Sequence, residues 1–243
     1  MSTILILGAT SDIGFAIAKK FASHGYDVQL AGRNEELLKP LQSDLSIRFG
    51  INCSIHFFDA AVFEQHKAFY ESLPQKPNVV AYVVGYMDDN EKLISNWSET
   101  AKTINANYTG AVSVLNIIAD DFAARKTGTI VGISSVAGNR GRQSNYIYGS
   151  AKAGLTAYLS GLRNRMFHYG VHVITVLPGF VFTKMTEHLN LPKLLTAKPE
   201  DVANAVYTGV KKKKNIIYVK WFWRWIMLII TSVPESMFKK KKL

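Results

Sequence analysis

In the stretch Thr3-Ile4-Leu5-Ile6-Leu7-Gly8-Ala9-Thr10-Ser11-Asp12-Ile13-Gly14, an unbroken apolar run stops at a glycine and a different periodicity begins. Residues 3–7 have the pattern of a short strand buried on both faces, whereas apolar residues return at helical spacing over residues 13–22. The unit is a strand feeding a helix. Between the two, Gly8 and Gly14 let the backbone turn tightly and come close to a ligand, and the helix start offers unpaired N–H groups at its positive dipole end. Such a turn suits a pyrophosphate. Asp12 stands where a central glycine is usual, and an Asp there is expected to cap the helix.

The same unit repeats along the chain. Further strands are predicted at residues 27–31, 52–58, 79–84, 129–133, 171–177 and 216–219. Helices are predicted over 35–49, 63–73, 107–125, about 145–169, and from Pro199-Glu200-Asp201 onwards, with a looser stretch at 180–195. Apolar strands alternating with helices imply a parallel sheet covered on both faces, a doubly wound Rossmann-type α/β fold. Residues 1–219 form one such domain in this reading, and 220–243 a C-terminal apolar and basic extension. Ligands of doubly wound sheets sit beyond the carboxyl ends of the strands, where Gly8, Gly85, Ser135 and Pro178 all emerge.

At 243 residues the chain is long enough for one large core. Its lone cysteine, Cys53, can form no intramolecular disulfide and has no companions for a metal site, so packing is its expected role. The six histidines are scattered without metal-type spacing. The net charge is +11, yet residues 211–243 hold ten Lys and Arg against Glu235 alone, so nine of those charges are local to that end. General nucleic-acid binding is therefore not expected. Nor is a secretory signal, because the first apolar run leads straight into Gly8; a cytoplasmic location follows.

Chemistry gathers around Ser134-Ser135-Val136-Ala137-Gly138 and Tyr148-Gly149-Ser150-Ala151-Lys152. Tyr148 and Lys152 lie one helical turn apart on one face. A phenol, with a reference pKa of about 10, needs a neighbouring cation to exchange a proton at neutral pH, and Lys152 supplies one. The Ser135 hydroxyl, arriving from a strand end, can hold a substrate oxygen beside the phenol. Taken alone, a Tyr and a Lys at this spacing are usually structural. About twenty residues after the glycine turn, where a carboxylate would bind the ribose hydroxyls of NAD(H), stands Arg33. An Arg pairs instead with a 2′-phosphate, which favours NADP(H), the alternative being a solvated Arg at a helix start. Asp59 is placed to contact an adenine or to cap a helix.

With these residues in hand, residues 3–219 resemble the short-chain dehydrogenase/reductase family. The resemblance rests on the Gly8 turn, Asn107-Tyr108-Thr109-Gly110, Ser135 thirteen residues before Tyr148-x-x-x-Lys152, and Pro178-Gly179-Phe180-Val181-Phe182-Thr183. It implies that Tyr148 donates a proton to a ketone, Ser135 orients the carbonyl, Lys152 binds the nicotinamide ribose and favours the phenolate, and Asn107 holds a water. It implies cofactor contacts from Gly8, Thr10, Ser11, Asp12, Ile13, Gly14, Gly85, Pro178, Gly179 and Val181, with Thr183 reaching the carboxamide. A homodimer or homotetramer built on the Asn107 and Tyr148 helices is implied too. One departure is Tyr82-Val83-Val84-Gly85, where the family usually has Asn-Asn-Ala-Gly.

Residues 220–238 read Lys-Trp-Phe-Trp-Arg-Trp-Ile-Met-Leu-Ile-Ile-Thr-Ser-Val-Pro-Glu-Ser-Met-Phe, followed by a Lys run. The apolar stretch is shorter than the roughly 18 residues needed to span a bilayer. Trp residues flanked by Lys suit a segment lying in the headgroup region, so peripheral attachment to the inner face of the membrane is expected. A partner subunit covering the segment, or a solvated tail, are the alternatives. This end, with the Gly8 turn, is similar to that of reductases of polyprenylphosphoryl-2-keto-pentofuranose, which implies a lipid-linked ketone substrate and a partner oxidase completing an epimerisation. Other lipid ketones (3-ketoacyl or ketosteroid) and a cofactor-binding protein without turnover are the competing readings.

Overall fold

The computed structural model describes residues 2–187 and 189–241. His188, among the scattered histidines, and Lys242 and Leu243 of the basic terminus lie outside the described residues. The first half of the chain runs β1 (Thr3–Leu7), α1 (Asp12–Ala22), β2 (Asp27–Gly32), α2 (Glu35–Phe49), β3 (Cys53–Phe57), α3 (His66–Glu71) and β4 (Val79–Tyr82). The middle holds α4 (Asn90–Ser95), α5 (Trp97–Ile104), α6 (Gly110–Arg125), β5 (Thr129–Ile133) and α7 (Tyr146–Phe167). It ends with β6 (His172–Pro178), β7 (Phe180–Val181), β8 (Thr196–Ala197), α8 (Pro199–Lys211), β9 (Ile216–Val219), α9 (Phe222–Ser232) and α10 (Glu235–Phe238).

Seven strands form one parallel sheet in the order β3-β2-β1-β4-β5-β6-β9, while β7 and β8 pair separately. The order reverses between β1 and β4, and Ile4 of β1 pairs with Val28 on one side and Val79 on the other. Because successive strand residues face opposite ways, Ile4 and Ile6 enter a core beneath α1, α2 and α8, and Leu5 and Leu7 enter one beneath α3, α6 and α7. A third, smaller cluster joins Val136 and Leu177 to Trp223 and Met227 of α9. The doubly wound α/β reading holds.

Local differences have local causes. The helix expected over 63–73 is a 3₁₀ turn, Phe63–Gln65, followed by the six-residue α3. The expected strand 79–84 ends at Tyr82, and residues 83–89 leave the sheet as a loop. The sequence reading assigned nothing to α4 and α5, although Asp89 and Asn96 cap them by accepting the Glu91 and Glu99 N–H groups at 2.8 and 3.4 Å. The helix expected over 107–125 begins only at Gly110, because a π turn, Asn105–Thr109, interrupts the path from α5 to α6 and carries Asn107. Among the described residues no helix is long and apolar enough to cross a membrane.

Candidate active site

Helix α7 is fastened to the end of β5 by the Ser134 hydroxyl, which donates to the Lys152 carbonyl at 2.9 Å and shares a 2.7 Å bond with the Thr156 hydroxyl. This anchor sets Lys152 in the interior, 3% exposed, with Nζ donating to the Ile133 carbonyl at 3.0 Å. Lys152 Nζ lies 5.8 Å from the centre of the Tyr148 ring. Ser135, two residues beyond β5, is in extended conformation, and its Oγ accepts the Ala137 N–H at 3.1 Å. From the β4 side, a Cβ built on Gly85 would stand 3.2 Å from Asn107 Oδ1 and 3.7 Å from Lys152 Nζ. Gly85, Asn107, Ser135, Tyr148 and Lys152 thus meet where β4, β5, α7 and the π turn converge.

Electrostatics separates the two titrating groups. Burial pushes the Tyr148 phenol up to about 12, and the Ser135 hydroxyl beside it pulls the other way. Burial brings Lys152 down to about 7. A neutral phenol next to a hydroxyl, with a buried amine behind it, is able to pass a proton to an oxygen held between the two hydroxyls. Asn107, itself fully buried, spends both amide protons on the Tyr86 and Thr103 carbonyls at 2.5 and 2.8 Å, and Oδ1 takes the Tyr86 N–H at 3.4 Å. Its side chain thereby clamps the peptide after Gly85, and any water it holds must be taken by an oxygen.

At the glycine turn, Gly8 adopts φ +95°, and a Cβ there would meet the Val84 nitrogen at 2.8 Å. The helix cap is Ser11, whose Oγ accepts the Gly14 N–H at 3.1 Å, and not Asp12 as the sequence suggested. Asp12 is instead a strap: its carboxylate accepts the Lys184 N–H at 2.8 Å and ties the turn to the loop after β6. The N–H groups of Asp12 and Ile13 have no partner among the described residues. Thr10 and Arg33 are exposed, and Arg33 has no hydrogen bond or ion pair among the described residues. Asp59 caps no helix either; its carboxylate closes a local turn on the Ala61 N–H at 2.9 Å. Neither Arg33 nor Asp59 is bonded to the five residues at the β4–β5 end.

Beyond Pro178, Gly179 has a packing reason to lack a side chain, since a Cβ would fall 1.9 Å from the Trp223 ring. Val181 is buried in the β7–β8 pair, and the Thr183 hydroxyl lies 3.2 Å from that of Thr186. Phe180 meets Trp223 edge to face at 5.4 Å, and the Trp223 indole donates to the Leu195 carbonyl at 3.2 Å. Helix α9 therefore packs on the loop that follows β6. Lys220, at φ +60°, provides the sharp turn that folds it back.

One residue that the sequence reading passed over fastens this end to the site. Arg140, five positions after Ser135, donates to the Ile230, Thr231 and Val233 carbonyls at 3.1, 3.1 and 2.6 Å and pairs with Glu235 at 2.7 Å. Its guanidinium also covers the Phe238 ring at 4.0 Å. A cation on the last carbonyls of α9 satisfies groups that have no helical partner. The only sequence signal was an Arg between Ser135 and Tyr148, which has no meaning until α9 is known to lie beside it.

Residues 2–193 match the short chain dehydrogenase family. An uncharacterized oxidoreductase of Mycobacterium tuberculosis is 30% identical over 240 residues, covering 98% of this chain and 96% of its own length. A 3-oxoacyl-[acyl-carrier-protein] reductase of Chlamydia muridarum is 28% identical over 214 residues, covering 83% and 86%. Among solved structures, a short-chain dehydrogenase from Sphingobium yanoikuyae in complex with NADPH superposes with a TM-score of 0.84 at 21% identity, covering 97% of this chain and 98% of that one. The chain belongs to the short-chain dehydrogenase family of NAD(P)-dependent oxidoreductases.

Proposed function

We propose that this protein is an NADPH-dependent reductase of a ketone carried by a membrane lipid, the 2-keto group of a polyprenylphosphate-linked pentofuranose, acting at the inner face of the membrane. The observation that carries the membrane part is the outer face of α9 and the residue before it, where Trp221, Trp225 and Ile229 are 75, 54 and 69% exposed while Trp223 and Met227 pack inward on the site. The same C-terminal segment carries the positive charges of Lys220, Arg224 and Lys239 to Lys241, of which Lys220 lies 3.7 Å from the Asp201 carboxylate. Exposed Trp beside Lys and Arg matches an anionic headgroup layer, and the loop carrying exposed Phe182, Met185 and Leu194 adjoins it through Trp223 and Leu195. Residues 220–243 act in this reading as the seat that keeps the reductase on its lipid, and a partner oxidase supplies the ketone.

The residues fit the nucleotide. The Gly8 turn admits no side chain, the Asp12 and Ile13 N–H groups and Arg33 have no partner among the described residues, and Arg33 stands where a 2′-phosphate would lie. Bound NADPH supplies the hydride. Tyr148 donates the proton to the carbonyl oxygen, Ser135 orients that oxygen, Lys152 holds the nicotinamide ribose, and Asn107 fixes the Gly85 loop and holds a water. Asp12 acts on binding through its strap to Lys184. Asp12→Ala is expected to raise KM for NADPH several-fold with a smaller change in kcat, and Asp12→Asn, whose amide oxygen still accepts, to stay near wild type. Equal KM values for Asp12→Ala and wild type would remove the strap from nucleotide binding.

The Chlamydia relative favours a second reading, reduction of a 3-oxoacyl thioester. One experiment separates the two. NADPH oxidation is followed with the 2-keto sugar lipid in anionic liposomes, with a 3-oxoacyl thioester and with a steroid ketone. The first should show the highest kcat/KM, by about tenfold or more, a difference of about 1.4 kcal/mol. Trp225→Glu with Ile229→Lys, both outward-facing, should lower turnover of the liposomal substrate and leave a water-soluble ketone unaffected. Preference for the thioester, or liposomal turnover indifferent to the double variant, rejects the proposal.

A further inference from the structure

Residues 139–145 lie between Ser135 and Tyr148, just before α7, and this segment is tied down on both sides. Asn139 Nδ2 donates to the Tyr218 hydroxyl at 3.1 Å, and Arg140 grips the end of α9. On the other side Asn90 donates to the Gln143 carbonyl at 3.4 Å and accepts the Ile147 N–H at 3.3 Å. Between these ties stands Arg142, half-buried, with no hydrogen bond or ion pair from its guanidinium among the described residues. Its Nε is buried without a partner among the described residues, as is Oδ1 of Asn145 three residues on. Arg140 shows what a structural arginine does here: three carbonyls, a carboxylate and an aromatic face absorb it. Arg142, two residues away, has none of these.

A guanidinium cannot escape by deprotonating at working pH, so a half-buried one without a counter-charge is costly unless an anion completes it. The residues placed to hold the nucleotide phosphates, the Gly8 turn and Arg33, lie at the ends of β1 and β2, whereas Arg142 belongs to the segment between β5 and α7. We propose that Arg142 binds a phosphate of the substrate, fixing the distance between that phosphate and the carbonyl set between Ser135 and Tyr148. This deepens the functional proposal and rests on its phosphate-bearing ketone. Burial also pulls the Arg142 guanidinium below its ordinary range, as expected for a cation lacking a counter-ion.

The test is calorimetric titration of the NADPH-loaded enzyme with geranyl phosphate against geraniol, and with 4′-phosphopantetheine against pantetheine. Geranyl phosphate is expected to bind about tenfold or more tighter than geraniol, the value of one charge-assisted hydrogen-bonded pair. Arg142→Met should abolish that preference while leaving NADPH affinity unchanged, and Arg142→Lys should keep part of it; if the Met variant does not fold, Arg142→Gln takes its place. A preference that survives in Arg142→Met overturns the proposal. So does a change in sedimenting mass on substitution, which would assign the guanidinium to a contact between copies. A phosphate preference confined to phosphopantetheine keeps the anion site and overturns the lipid-sugar substrate. Turnover of the 2-keto sugar lipid with no phosphate preference overturns this inference alone.

Discussion

Tyr148→Phe is expected to lower kcat about a thousandfold while leaving NADPH affinity within a factor of two, because a positioned general acid contributes roughly 10²- to 10⁴-fold. The phenol oxygen is the only atom removed. The ring remains beside Lys152, whose Nζ keeps its bond to the Ile133 carbonyl, so the amine is not released. With its phenol pushed up to about 12, Tyr148 is protonated across the working range, as a donor to a carbonyl must be. Ser135→Ala should cost less, since the phenol remains able to donate. Steady-state NADPH oxidation together with fluorescence titration of NADPH measures both quantities. Turnover within tenfold of wild type in Tyr148→Phe would take Tyr148 out of the proton path.

The difference between what the sequence disclosed and what it hid follows the range of the interactions. The alternation of buried strands and helices is local, so the parallel sheet and the order of its elements were readable from apolar periodicity. The pairing of Tyr148 with Lys152 was readable because a helix fixes positions four apart. Contacts across the chain were not. Asp12 looked like a cap because caps are local, yet Ser11 has that role and Asp12 reaches 172 residues ahead to Lys184. The π turn at Asn107 arises where α5 runs into α6, and the run of polar and small residues over 101–110 reads equally well as one helix. Gly179, a cofactor contact by the resemblance, has a second reason to be glycine that the sequence hid, since the Trp223 ring occupies the space of its missing side chain. Arg140 and Arg142 are two basic residues of one loop in the sequence. Only the position of α9 tells the satisfied one from the unsatisfied one.

Lys152→Met should remove turnover at every pH and yet make the protein more heat-stable at low pH than at high pH, relative to wild type. In the folded chain burial brings Lys152 down to about 7, from an ordinary 10.5. Between those two values the unfolded chain binds the proton and the folded chain does not, so the wild type gains stability as pH rises from about 7 to about 10.5. Below about 7 it carries the full cost of a charged amine in a site that is 3% exposed. Met keeps an unbranched apolar side chain in that space and has no charge to desolvate. It forfeits only the bond from Nζ to the Ile133 carbonyl, a loss of about 1 kcal/mol that acts at all pH values. The variant should therefore melt about 5 °C or more above wild type at pH 6, with the gap closing towards pH 10. All other titrating groups are common to both proteins and cancel in the difference. Calorimetric melting at pH 6, 8 and 10 reads the trend, and a gap that stays constant with pH would mean that Lys152 remains charged in the folded enzyme throughout, balanced by a partner other than the Ile133 carbonyl.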